Sequence, residues 1–291
     1  MIIFHDARSA NYSSPGHPER PQRILSTVPL LRERHPDWHW PFPMSATNKD
    51  ILRAHSPEHI QAVQKARFEF DADTPAYPNI YDHAMASAGA AIAATRSALE
   101  GKPAFSLMRP PGHHACRERA MGFCYFNNPV VAALDALEQG VGRIAIWDFD
   151  AHHGNGTEEL VANHSQITFA SIHQSPAYPG TGLKSFANIH NFPVPPYARR
   201  TDHMAAVERA FDGLIAEKPD LILVSAGFDA FRGDPITQMT LEPEDFATFG
   251  KWLRESHIRS AGMLEGGYSS ELPELIDTFL TSWEGKKGGD K

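Results

Sequence analysis

The stretch Ile146–Thr157, IWDFDAHHGNGT, decides the fold, because it joins an apolar run to a crowd of polar groups. The run RIAIW at residues 143–147 predicts a buried strand, and Asp148, Asp150 and His152 follow it at every second position. In an open parallel sheet, ligands bind beyond the carboxyl ends of the strands. The stretch therefore predicts an α/β protein whose functional groups lie where this strand ends.

The 291 residues, 42% of them hydrophobic, predict a single domain with a large core. We expect residues 1–283 to form this domain and residues 284–291 to form a disordered tail. The net charge of −8 argues against nucleic-acid binding, and the two cysteines, Cys116 and Cys124, agree with a reducing compartment. The short apolar run at the N-terminus is neither a secretory signal nor a spanning helix, so we expect a cytoplasmic protein with no membrane partner.

Short apolar runs alternate with longer segments of helical period, which predicts a mostly parallel sheet between helices. The predicted strands are 105–108, 143–147, 167–172, 221–224 and 261–264. The predicted helices are 21–34, 49–70, 82–99, 129–139, 156–163, 201–217, 243–257 and 271–282. The proline-rich segment 192–197 is predicted to be a loop, because proline cannot donate to a central ladder.

A loop with polar, proline or glycine residues follows each predicted strand. The five loops begin at Arg109, Asp148, His173, Ser225 and Glu265. Because the carboxyl ends of parallel strands share one edge of the sheet, these loops are expected to converge there.

Asp150 and His152 form a predicted metal-ligand pair, since residues two apart on a strand point to the same side. Asp229, after a different strand, would supply a third ligand and leave one position of a tetrahedral zinc ion open. Spacing alone does not separate zinc from iron or manganese. The alternative is that Asp148 and Asp150 cap the next helix and that the histidines only make hydrogen bonds.

Two other loops carry candidate catalytic groups. His113 and His114 follow a rigid Pro-Pro-Gly segment, and imidazoles suit acid–base catalysis near neutral pH. Tyr268 follows two glycines, where its hydroxyl can stabilise an oxyanion opposite a metal ion. Phe123, beside Gly122, and Tyr178 carry aromatic rings, which we expect to form the walls of a narrow channel.

Six motifs together resemble the histone deacetylase family. They are RPPGHHA (109–115), AMGFCYFNN (120–128), WDFDAHHGNGT (147–157), PGTG (179–182), SAGFDA (225–230) and EGGY (265–268). The segment HPERPQRI at 17–24 is similar to the class II branch and its bacterial deacetylase-like and acetylpolyamine amidohydrolase relatives. The resemblance implies the arginase-deacetylase α/β fold, with a central parallel sheet of about eight strands.

The resemblance also implies an activity, the zinc-dependent removal of acyl groups from amines, and a role for individual residues. Zinc is assigned to Asp150, His152 and Asp229, proton transfer to His113 and His114, and carbonyl polarisation to Tyr268. The channel is assigned to Gly122, Phe123 and Tyr178, a substrate-gripping rim to Asp73, an internal acetate cavity to Arg23, and a structural potassium ion to Asp148, Ser171 and Ile172.

Asn155 stands where some members of the family have an aspartate paired with the second tandem histidine. A neutral amide can orient His114 but supports its imidazolium less, so we expect a lower pKa for His114 than an aspartate would give. Asp148 is expected to support a catalytic histidine as well as the monovalent ion.

The expected substrate is an acylated amine, either acetyl-lysine in a protein or an acetylated polyamine. Ile236 occupies the position where one branch of polyamine-selective relatives has a gatekeeper glutamate, so the resemblance does not support that specialisation. The chain has no long insertion to restrict the channel, which predicts an open channel and a monomer or simple homo-oligomer.

Two other functions stay open at this level. A binuclear manganese ureohydrolase similar to arginase would need further bridging carboxylates. A non-catalytic protein that binds acyl-lysine or acyl-polyamine would keep the pocket, whereas the presence of His113, His114 and Tyr268 argues for catalysis.

Overall fold

A parallel sheet forms the centre of the protein. The computed structural model describes residues 1–285. The strands are β1 (Ile2–Phe4), β2 (Ala104–Ser106), β3 (Ile144–Asp148), β4 (Ile167–Gln174), β5 (Ile189–Val194), β6 (Leu221–Ala226) and β7 (Arg259–Leu264). In the described part of the chain the sheet has seven strands, all parallel, in the order β1-β2-β7-β6-β3-β4-β5. The predicted α/β architecture is confirmed, with seven strands rather than about eight.

Helices cover both faces of this sheet. They are α1 (Gln22–Leu25), α2 (Thr27–Arg34), α3 (Asn48–Ile51), α4 (Pro57–Gln64), α5 (Ile80–Leu99), α6 (Asn128–Glu138), α7 (Asn155–Val161), α8 (Arg200–Ala216), α9 (Pro243–Ser256) and α10 (Leu272–Glu284). One apolar core packs α4, α5 and α6 against the sheet, and a second packs α2, α8, α9 and α10 against the other face.

Strand β3 lies between β4 and β6 and is buried at every residue. Its last residue, Asp148, pairs in register with Ser171 on β4 and with Ser225 on β6. A buried strand with neighbours on both sides explains the continuous apolar run before Asp148. The register brings the ends of the three strands to the same level, where their loops begin.

Two edge strands differ from the predictions. The segment predicted as a loop at 192–197 supplies the end of β5, because β5 is the outer strand next to β4 and Pro193 can lie there without breaking a central ladder. Strand β1, at the opposite edge, was not predicted, since three residues are too short to give a periodic signal.

Two predicted helices are interrupted. The helix predicted at 49–70 is α3 followed by α4, because the Ser56 side chain caps α4 and Pro57 occupies its first turn. Similarly, the helix predicted at 21–34 is divided into α1 and α2 at Ser26.

The final helix, α10, ends at Glu284, within one residue of the predicted domain boundary at 283. The remainder of the predicted tail, residues 286–291, lies outside the described residues. Among the helices of residues 1–285, none combines the length and the apolar character needed to cross a membrane.

Candidate active site

A cavity of about 130 Å³ opens at the carboxyl edge of the sheet. Its lining includes residues from the loops that follow β2, β3, β4, β6 and β7, as predicted from the order of the motifs. The residues predicted for catalysis that line it are His113, His114 and Tyr268, with His152 beside them. The residues predicted for the channel, Asp73, Gly122, Phe123, Tyr178 and Ile236, all contribute to the same cavity.

Asp150, His152 and Asp229 meet at one point, although Asp229 comes from a different strand. Nδ1 of His152 lies 2.9 Å from Asp229 Oδ2 and 3.2 Å from Asp150 Oδ1. One donor atom from each residue lies within 4.8 Å of the others. Both carboxyl groups are buried, and His152 is nearly so. This is a compact three-ligand group, and its His152 lines the cavity.

The backbone around the three residues fits a divalent metal ion. The amide of Gly266 donates to Asp150 Oδ2 at 2.7 Å, and the amide of Ala151 donates to Asp229 Oδ1 at 2.9 Å. These bonds occupy one oxygen of each carboxylate and direct the other toward His152. A Cβ atom on Gly266 would lie 2.2 Å from Asp229 Oδ2, so glycine is required for this close approach. Two carboxylates and an imidazole are donors that zinc and related ions accept.

His113 and His114 are buried side by side with different partners. Nδ1 of His113 lies 3.0 Å from Asp148 Oδ2, whereas Nδ1 of His114 lies 2.7 Å from the amide oxygen of Asn155. Asn155 is the first residue of α7, so the helix start places its side chain under the histidine. The rings of His113 and His114 are 4.0 Å apart between centroids.

The two histidines are shifted in opposite directions. Burial alone would lower the pKa of His113, but the carboxylates of Asp148, Asp150 and Glu265 outweigh it and hold that pKa well above its usual value. Burial, together with positive charge at His113 and His152, holds the pKa of His114 well below its usual value. The surroundings therefore favour the charged form of His113 and the neutral form of His114.

Tyr268 is fixed from both sides. Its backbone amide donates to Asp234 Oδ2 at 2.7 Å, its ring meets Phe123 edge to face at 6.0 Å, and the guanidinium of Arg23 lies 5.0 Å from its ring centroid. Burial raises the pKa of the Tyr268 phenol well above its usual value, so the hydroxyl keeps its proton and can donate it in a hydrogen bond.

Arg23 lies beneath Tyr268, behind the wall of the cavity. Its guanidinium donates to the carbonyl of Gly267 at 2.7 Å, to the carbonyl of Glu265, and to Glu19 at 3.2 Å. These bonds satisfy the cation and fix the glycine turn that carries the tyrosine.

The residues predicted for a monovalent ion come together below the cavity. Asp148 and Ser171 are register partners on adjacent strands, and Ile172 follows on β4. All three are buried, and Ser171 Oγ lies 3.0 Å from Nδ1 of His173. A potassium ion at this position stays a prediction.

Sequence reasoning missed two buried carboxylates that hold the catalytic loop. Oε2 of Glu265 accepts from the amides of Gly112 and His113, at 2.7 and 3.1 Å, and burial raises the pKa of Glu265 to about 7. Glu19 forms an ion pair with Arg109, whose side chain is completely buried. For Glu265, a charged residue at the start of the glycine-rich EGGY motif was the available signal, whereas Glu19 lies in the polar segment HPERPQRI and carried no such signal.

Comparison with known proteins agrees with this arrangement. The family profile of the histone deacetylase domain matches residues 17–282. An uncharacterised protein of Synechocystis is 41% identical over 96% of each chain, and a probable deacetylase of Archaeoglobus fulgidus is 35% identical over 93% of this chain and 81% of its own. The solved HD domain of HDA15 is 29% identical, with a TM-score of 0.90, over 98% of this chain and 91% of that one.

Proposed function

Because the chain belongs to the histone deacetylase family, we propose that it is a zinc-dependent amidohydrolase that removes acyl groups, above all acetyl, from amines. The observation that carries the proposal is the group formed by Asp150, His152 and Asp229 at the same cavity as His113, His114 and Tyr268. Binding alone would not require two buried imidazoles of opposite pKa shift beside a metal-ligand group.

Zinc held by Asp150, His152 and Asp229 would supply a Lewis acid for the acyl carbonyl and lower the pKa of a water molecule. Its three protein ligands leave a coordination position for water and substrate. In the described part of the chain, this is the single group of three or more potential ligand side chains, which favours a mononuclear site over the binuclear ureohydrolase alternative.

His114 is the proposed proton acceptor. Its Nδ1 is occupied by Asn155, so Nε2 is the nitrogen that can take a proton from the attacking water. Its low pKa keeps the ring neutral before the reaction. The adjacent His113, anchored by Asp148, keeps positive charge in the site, and the pair returns a proton to the departing amine.

Tyr268 is the proposed hydrogen-bond donor to the oxyanion. Its phenol keeps its proton, and the contacts with Arg23, Asp234 and Phe123 fix its position before substrate binds. A preorganised donor of this kind stabilises the charge that develops on the acyl oxygen.

The cavity supports a substrate with a slender aliphatic arm. Phe123 and Tyr178 supply aromatic walls, and Ile236 adds an apolar side chain at the position where one branch of polyamine-selective relatives has a gatekeeper glutamate. Asp73 at the same cavity can accept a hydrogen bond from an amide or ammonium group of the substrate. Acetyl-lysine peptides and acetylated polyamines both meet these requirements.

The direct test is hydrolysis by the full chain, stripped of metal and then reloaded with zinc or manganese. Acetyl-lysine peptides, acetylated polyamines and longer acyl-lysines are compared by kcat/KM, with metal content measured in each sample. We expect one zinc ion per chain and activity that returns when zinc is reloaded. Asp229→Asn is expected to lose both the bound zinc and the activity. The matched control is Asp212→Asn, an exposed carboxylate on α8. Binding without turnover, or two manganese ions per chain, would overturn the proposal.

A further inference from the structure

The amide of Asn155 contacts sulfur atoms as well as the catalytic histidine. Its Oδ1 lies 2.7 Å from Nδ1 of His114. Its Nδ2 lies 3.4 Å from Cys116 Sγ, 3.4 Å from Met121 Sδ and 3.5 Å from the carbonyl oxygen of His114. Acceptors therefore surround the NH2 end of the amide, while the oxygen end faces a ring nitrogen.

The orientation of this amide determines the tautomer of His114. Because Oδ1 can only accept, the facing Nδ1 must carry the ring proton, and Nε2 keeps its lone pair. If the amide turned by half a rotation, its NH2 group would donate to Nδ1. The neutral ring would then carry its proton on Nε2 and could not accept one there.

Both sulfur atoms are held in place by their surroundings. Cys116 is buried, and its thiol lies 3.7 Å from the carbonyl oxygen of His114. Burial raises the pKa of this thiol to about 11, so it stays uncharged near neutral pH. Met121 begins a tight turn in which its amide and carbonyl pair with those of Cys124, at 3.0 and 2.9 Å. Thiol and thioether sulfurs are weak acceptors, and two of them on one amide act together.

From this geometry we propose that Cys116 and Met121 are positioning residues, whose sulfurs hold the Asn155 amide with its oxygen toward His114 and so keep Nε2 of His114 free to accept a proton. The kinetic consequence rests on the amide hydrolysis proposed above, whereas the consequence for the tautomer does not. A carboxylate at position 155 would accept through either oxygen. The sulfur contacts therefore matter only while this residue is an amide.

The test is a double-mutant cycle in the full-length, zinc-loaded protein. The change Cys116→Ala with Met121→Leu is made once in the natural chain and once together with Asn155→Asp, and kcat and KM are measured at the pH optimum of each variant. In the natural chain we expect kcat to fall about three- to tenfold with little change in KM, which is the scale of losing weak hydrogen bonds. In the Asn155→Asp chain the same change is expected to leave kcat nearly constant.

A packing role for the sulfurs would lower kcat equally in both chains, and that result would overturn the proposal. Met85→Leu is the matched control, because Met85 is a buried methionine on α5 that does not contact Asn155, and its substitution is expected to leave kcat unchanged.

Nitrogen NMR of the His114 ring, identified by comparison with His114→Gln, gives a readout that needs no substrate. We expect the proton on Nδ1 in the natural chain and a mixture of tautomers in the double variant. A ring with its proton on Nε2 in the natural chain would contradict the proposal. If the natural chain hydrolyses no acylated amine, the proposed function fails, and the NMR result still decides the role of the sulfurs.

Discussion

His113 and His114 are neighbours in the chain, yet their surroundings are opposite. His113 has a carboxylate partner, Asp148, whereas His114 has a neutral amide partner, Asn155. Both rings are buried, so burial penalises the charge of both. Carboxylates, with Asp148 first, outweigh that penalty at His113, whereas His114 faces a neutral amide and positive charge at its neighbours, so the charged form is favoured at His113 and the neutral form at His114.

This difference gives each histidine a separate part in the proposed reaction. A neutral ring can accept a proton, whereas a ring that is already charged contributes through its field and as a donor. The tandem arrangement therefore needs two different anchors, one from the end of β3 and one from the start of α7.

Removal of each ring in turn is the most direct test of whether His113 and His114 have different roles. We expect His114→Ala to lower kcat by on the order of 10³, because the proton acceptor is lost, and His113→Ala to lower it by about 10². Steady-state kinetics measures both variants, with zinc content checked in each. His39→Ala, at an exposed position, is the control. Equal losses at the two positions would show that the rings share one task.

Tyr268→Phe tests whether the reaction needs the Tyr268 hydroxyl in addition to the two histidines. The change removes one hydroxyl and keeps the ring between Phe123 and Arg23. We expect zinc to stay bound and kcat to fall about 10²-fold, which is the usual effect of removing one oxyanion donor. Tyr197→Phe, at an exposed ring, controls for the loss of a phenol. An unaltered kcat would remove Tyr268 from the mechanism.

The smallest change is Asn155→Asp, which gives both histidines a carboxylate partner. The new charge raises the pKa of His114, so the ring is protonated, and inactive as an acceptor, up to a higher pH. We therefore expect the acidic limb of kcat/KM to move upward by about one pH unit. A pH profile of the natural chain and the variant measures the shift. A limb that stays in place would mean that His114 does not titrate in that range.

The sequence predicted which side chains lie together at the cavity better than it predicted the edges of the sheet. Asp150 and His152 could be predicted because side chains on a strand alternate with a period of two. Asp229 and Tyr268 could be predicted because they follow other parallel strands. These rules are local, or depend only on the end of the sheet at which a loop lies. The five loops meet at one cavity for that reason.

The missed features depend on position within the folded chain. Pro193 is excluded from a central strand but fits β5, and only the strand order reveals that β5 is an edge. Glu265 was recognised within a motif, but its bonds to the amides of Gly112 and His113 join segments more than 150 residues apart in the chain. No periodicity in either segment indicates such a contact.

The buried Arg109 has a consequence for where the protein can be shortened. Its guanidinium donates to the carbonyl of Ser9 at 2.7 Å and to that of Tyr12 at 3.4 Å, besides its ion pair with Glu19. Ser9 and Tyr12 precede the region that carries the family likeness, which starts at residue 17. A chain trimmed to that boundary would keep Glu19 but remove two carbonyl acceptors from the buried guanidinium, and the loss of a hydrogen bond to a charged group costs about 1.5–3 kcal/mol. We therefore expect the smallest unit able to fold to begin before residue 17, where the match to the family profile starts.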